Sequence, residues 1–167
     1  MSDRWPQRLA VRPWTARDAR CVAAWQYDGP WSVYNLSAEE GLPDAADGYM
    51  AVVDADDGRM VGFYCTGAEA RVPGLGEEPG VIDLGVGMDP AWVGNGHGVS
   101  FGAAVIDHVR RAHPTSALRV VMQSWNTRSL RLMRRLGFVE SGHHLCVQDG
   151  SPVAYVVALL PTFEHAL

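Results

Sequence analysis

The chain has 167 residues, 47% of them hydrophobic and 20% charged, which fits one soluble globular domain around a single core. A net charge of −5 argues against general nucleic-acid binding, which needs basic surface. All 14 basic residues are arginine, which excludes chemistry through a Schiff-base, pyridoxal-phosphate or Walker lysine.

The stretch from Met1 to Val11 is polar and broken by Pro6, which does not read as a signal peptide, and no apolar run is long enough for a membrane span. Arg8 to Trp14 reads as a first strand. Thr15 to Tyr27 reads as a helix, with Thr15 as N-cap and Asp18 three residues on as a weak capping box. Gly29 to Pro43 is aromatic and turn-rich, with room for a short helix after Ser37. Tyr49 to Gly67 is a hairpin of two apolar runs around Asp56-Asp57-Gly58. Ala70 to Gly80 is a loop, and a strand from Val81 ends at Pro90. A helix then runs from the glycines to about His113 and stops at Pro114, with Phe101, Val105 and Val109 on one face. Ala117 to Trp125 is a strand. Asn126 caps a short helix to Leu136, on which Ser129, Leu132, Met133 and Leu136 share a face, and Gly137 suits its end. A second hairpin from Phe138 to Leu160 turns at Asp149-Gly150. The expected class is α/β, a single layer of mixed sheet with helices on both faces. Cys21, Cys65 and Cys146 are odd in number and far apart, which fits reduced thiols in a cytoplasmic protein.

Trp92 to Gly102, "WVGNGHGVSFG", sits between a strand and a helix. Helix starts carry unpaired N–H groups and partial positive charge, and flanking glycines let an anion approach the backbone. Three readings stand. One is a dinucleotide fingerprint, but Val120 to Gln123 ends without the acidic residue that would grip a ribose. The second is a tight turn that lets the helix pack closely. The third joins the loop to its neighbours.

Met88-Asp89-Pro90-Ala91-Trp92-Val93-Gly94-Asn95-Gly96-His97-Gly98, followed downstream by Asn126 and by Leu136-Gly137-Phe138, resembles the GNAT superfamily of acyl-coenzyme A N-acyltransferases. The likeness covers Ile82 to Phe138. It implies one domain over residues 1–167, with a mixed sheet of about seven strands splayed between the fourth and fifth. It also implies acetyl-coenzyme A as co-substrate and no metal. The amides of Gly94, Asn95, Gly96, His97, Gly98 and Val99 would cradle the pyrophosphate, with Val93 at the edge of the same cofactor site. Val86, Gly87 and Met88 would bond the pantetheine arm along the open strand, and Asn126 would steady it while also serving as N-cap. A backbone N–H near Met88 would receive the oxyanion. Two residues depart from the family. Val93 stands where arginine or glutamine is usual, and Met133 where many members carry a tyrosine that protonates the leaving thiolate. A thiol of pKa ~8.5 needs little such help.

Acyl transfer to an amine also needs a proton acceptor. Asp83 is the first candidate, since it shares a strand face with Gly85 and Gly87, which leave room for substrate. Glu69 is the second, and a water relay or a merely exposed Asp83 remain open. The acceptor pocket is expected from Tyr27, Trp31, Tyr34 and Tyr64, with core as the other role for these rings. His143, His144 and Cys146 lack a partner cluster for a metal.

The sequence thus reads as a cytoplasmic N-acetyltransferase acting by direct attack of a primary amine of a small molecule or protein, with no nucleic-acid or membrane partner and with a homodimer left open. The alternative is a non-catalytic coenzyme A-binding sensor or interaction domain on the same fold.

Overall fold

A computed structural model describes residues 3–36 and 41–162. Seven strands form one open sheet in the order β1-β2-β3-β4-β5-β7-β6. They are β1 (Leu9–Pro13), β2 (Tyr49–Asp54), β3 (Met60–Thr66), β4 (Val81–Met88), β5 (Ala117–Gln123), β6 (Val139–Gln148) and β7 (Ser151–Leu160). The α-helices are α1 (Ala16–Ala23), α2 (Gly98–Ala112) and α3 (Thr127–Arg135).

The sheet has two antiparallel halves joined by one parallel pair, β4 with β5. That pair holds only over Val81–Asp83 against Ala117–Arg119, after which β4 and β5 part. The expected splay between the fourth and fifth strands is therefore present.

Alternation along the strands sorts two cores onto opposite faces. Val52, Val61, Leu84, Leu118, Val120 and Met122 pack under α2 and α3 with Phe101, Val105 and Met133. Ala51 and Val53 pack under α1 with Trp14, Ala19 and Val22.

The Thr15–Asp18 capping box forms in both directions, at 3.2 and 2.9 Å, and Arg12 clasps the same carboxylate at 2.6 and 2.9 Å. Helix α1 stops at Ala23 rather than running on to Tyr27, because the following rings turn to the sheet. Trp25 stacks near Phe63 at 6.0 Å, and Tyr27 bonds to β4. Gly29–Tyr34 forms a 3-10 turn. The short helix expected after Ser37 begins outside the described residues, and a 3-10 turn occupies Ala45–Asp47. The last hairpin turns on Asp149 and Gly150, both at positive φ, 49° and 79°, as a two-residue turn matching sheet twist requires.

Candidate active site

Asp83 O accepts from Gly67 N at 3.0 Å and Asp89 N donates to Val61 O at 2.9 Å. Antiparallel pairing alternates, so residues 83, 85, 87 and 89 spend their backbone groups on β3. Leu84, Val86 and Met88 turn theirs toward β5, which has already diverged. Of the three residues expected to offer backbone there, Val86 and Met88 face the gap. Gly87 does not, because it is opposite Phe63 in the β3 ladder.

The chain leaves β4 through Asp89, whose side chain accepts from Ala91 N at 2.9 Å and so starts the Pro90–Trp92 turn. Gly94 and Gly96 follow at φ +81° and +84°, conformations that L side chains resist. Val93 closes the turn, and Asn95 Nδ2 returns to Ala91 O at 3.4 Å. Helix α2 then begins at Gly98, with His97 at the cap making no side-chain bond to the first amides and no acid in the first turn. Those amides, including Val99, are the unpaired donors of a helix start. Sequence reasoning missed what holds this loop. Trp5 stacks on His97 at 4.5 Å and 5°, and its Nε1 donates to Ser100 Oγ at 3.3 Å. Nothing local signals a tryptophan so far upstream.

The opposite bank is the start of α3. Asn126 is 3% exposed, and its Oδ1 accepts from Ser129 N at 3.2 Å as an N-cap. The same Oδ1 accepts from Trp31 Nε1 at 3.3 Å, and Nδ2 donates to Tyr34 Oη at 3.1 Å. Tyr27 Oη donates to Met88 O at 2.7 Å. The aromatic segment thus spans from β4 to α3, with Tyr27 on Met88 and with Trp31 and Tyr34 on Asn126. Tyr64, the fourth ring expected with them, points to the other face, beneath α2, where its hydroxyl meets His108 Nδ1 at 2.7 Å.

Two further groups complete that wall. Tyr155 of β7 is paired with Gln123 of β5, so both project to the α1 face. Tyr155 Oη donates to Gln148 at 3.1 Å, and Trp125 Nε1 to Gln123 at 2.6 Å. Burial pushes the ionisation of both Tyr34 and Tyr155 to higher pH and keeps them protonated donors. Their register lies in a long-range pairing that local pattern does not carry.

Asp83 is placed otherwise than expected. It is 2% exposed and held by Arg119 Nε at 2.6 Å and by Arg71 at 3.0 Å. The room expected beside it is also filled. A Cβ on Gly87 would collide with the Phe63 ring, and one on Gly85 would sit 3.0 Å from Cys65 Sγ. A buried carboxylate clasped by two guanidiniums has no free face to offer a substrate amine. Glu69 is exposed, in the Ala68–Ala70 turn above Gly85. The Tyr49 hydroxyl nearby is held protonated, by burial first and then by charge at Cys65 and Glu69. Burial likewise pushes the Cys65 thiol up to about 12, which leaves it inert.

Among the described residues, no three His, Cys, Asp or Glu side chains gather to hold a metal, and His144 bonds Pro73 O at 2.8 Å instead. No described helix is long and apolar enough to cross a membrane.

A family model described as an acetyltransferase (GNAT) domain matches residues 8–139. The mycothiol acetyltransferase of Salinispora tropica is 32% identical over 139 residues, covering 82% of this chain and 44% of that protein. That of Thermobifida fusca is 32% identical over 129 residues, covering 75% and 39%. The chain therefore spans less than half the length of these curated relatives. Among solved structures, a GNAT-family acetyltransferase from Bacillus anthracis superposes with a TM-score of 0.69 at 15% identity, over 94% of this chain and 96% of that one. The Salmonella typhimurium protein yncA, solved with its cofactor acetyl-CoA, gives 0.63 at 21% identity, over 95% and 96%. Both structural likenesses are of fold.

Proposed function

The chain belongs to the GNAT acetyltransferase family, and from that membership we propose that it transfers an acetyl group from acetyl-coenzyme A to a primary amine by direct attack. The observation that carries this reading is the path of β4. Its Val86 and Met88 backbone faces a gap that no strand fills, and the strand runs straight into the glycine loop and the uncapped start of α2. An extended amide-bearing arm fits along the first, and a diphosphate fits at the second.

In this reading Val86 and Met88 align the arm, a gap-facing N–H of β4 receives the charge developing on the carbonyl oxygen, and Tyr27, Trp31 and Tyr34 form the acceptor wall with Tyr155. The amine nitrogen bonds to the acyl carbon, the carbon–sulfur bond breaks, and the amine's proton leaves to Glu69, directly or through water. The thiolate departs with little help, and the protonated hydroxyl of Tyr34 beside Asn126 is a donor on that bank. The relatives' naming for mycothiol supports a small-molecule acceptor over a protein one. Free thiols at Cys21, Cys65 and Cys146 fit a reducing, cytoplasmic setting.

A thiol-release assay with acetyl-coenzyme A and a panel of amines tests the proposal. Release that depends on one acceptor class supports it. Coenzyme A binding without release for any amine would favour the second reading, a non-catalytic sensor. Val93, Met133 and the ion-paired Asp83 are the features that speak for that reading.

A further inference from the structure

Arg128 breaks a local rule. It is the second residue of α3, on the positive end of the helix, and no acid lies in that first turn to offset it. None of the ion pairs among the described residues includes it. Its guanidinium carbon instead lies 4.1 Å from the centre of the Trp31 ring, a cation–π contact. Its Nη2 is 3.7 Å from where a Cβ on Gly94 would stand. The start of α2 is adjacent, since a Cβ on Gly98 would come 3.1 Å from Leu132 of α3. The start of α2 and the exposed Arg128 guanidinium therefore meet at the glycine loop, while the Asp89 carboxylate at its entry is turned to Ala91 N. Positive potential gathered there favours an anion.

We propose that Arg128 is the side-chain ligand of the coenzyme's diphosphate at Gly94–Gly98, held over the loop by the Trp31 ring and supplying the charge that Val93 does not. This rests on the coenzyme A reading above. A guanidinium forks onto two phosphate oxygens, so the contact adds orientation as well as attraction. Because Trp31 also lies on the acceptor wall, the same ring would link the diphosphate site to the acceptor site.

Calorimetry with coenzyme A and with its 3′-dephospho form tests the assignment, since both carry the diphosphate. Arg128→Ala should weaken both to the same extent, about tenfold or more for a lost charge-assisted bond, and Arg128→Lys should recover part of it. The salt dependence of binding should also flatten. Trp31→Leu combined with Arg128→Ala should weaken binding by less than the product of the single effects. Unchanged affinity in folded Arg128→Ala and Arg128→Gln proteins would overturn the proposal. So would a loss confined to coenzyme A, which would put Arg128 on the 3′-phosphate. A wild-type protein that binds neither form would overturn the coenzyme A reading itself, an outcome distinct from these.

Discussion

Asp83 and Arg119 are the last residues that join β4 to β5, and their side chains are bonded at 2.6 Å, Arg119 Nε donating to Asp83 Oδ1. The ion pair sits at the fork of the sheet, and Arg71 and Gly76 O complete it from the loop before β4. Removing one partner of a buried pair leaves the other uncompensated, which costs about 3–5 kcal/mol. Asp83→Asn should therefore lower the urea midpoint sharply, with any activity loss following the unfolded fraction. A variant of native stability whose turnover has collapsed would return the proton-accepting role to Asp83.

Glu69 is an exposed carboxylate in the Ala68–Ala70 turn beside Gly85, and it is the proposed proton acceptor. Glu69→Gln should reduce kcat by ~10²-fold or more, while coenzyme A affinity holds. An unaltered kcat would assign proton removal to water.

The Asp18 carboxylate titrates below its usual range. Burial alone would raise it, but the bonds from Arg12 and from both Thr15 groups outweigh that. A depressed folded value means that the charge adds stability above the unfolded pKa of ~3.9, and that this is lost as pH falls through the folded value. Asp18→Asn keeps the shape and can still cap. The gap in urea midpoint between wild type and this variant should be full at neutral pH, shrink below about pH 4, and close further down. A gap that persists in strong acid would mean that packing, not charge, separates the two.

Gly96 stands at φ +84° with nothing within 4 Å of a Cβ placed on it. Gly96→Val meets backbone strain rather than a clash, of about 1–3 kcal/mol. The fold should survive, while the coenzyme A dissociation constant rises at least tenfold as the amides re-aim. Gly96→Asn, which tolerates the left-handed region, should bind more tightly than the valine variant. Equal affinity in all three proteins, measured by calorimetry, would separate the loop from phosphate.

How much of this was legible follows from sequence distance. The Thr15–Asp18 box, the Asn126 cap and the strand–glycine–helix unit are local, and the sequence places each correctly. Asp83 was misjudged because its partner Arg119 is 36 residues away, so a strand aspartate and half of a buried ion pair look alike. Tyr64 was misplaced because the face of β3 on which it lies depends on register with β2 and β4. Trp5, Tyr155 and Arg128 make their contacts with distant elements, and nothing beside them in sequence marks those contacts.

Met133 is where the chain departs from the family's usual tyrosine, and its surroundings decide what that position tolerates. It is 8% exposed on α3 and lines a small apolar void of about 20 Å³ with Leu84, Val86, Phe101 and Leu136. Such a space holds little more than one water, and its walls offer a hydroxyl no partner. Met133→Leu keeps volume roughly and should cost less than ~1.5 kcal/mol, with turnover within a few-fold of wild type. Met133→Tyr adds a ring that the void cannot take without movement, at about 1–3 kcal/mol, so the variant should be less stable. It should also gain little in rate, because a thiol of pKa ~8.5 already leaves readily near neutral pH. Thermal midpoints and pH–rate profiles of the two variants check this together. A faster tyrosine variant with a new alkaline pKa would mean that thiolate release limits the native chain. Complete inactivity of a stable leucine variant would mean that the methionine side chain itself shapes the thioester site.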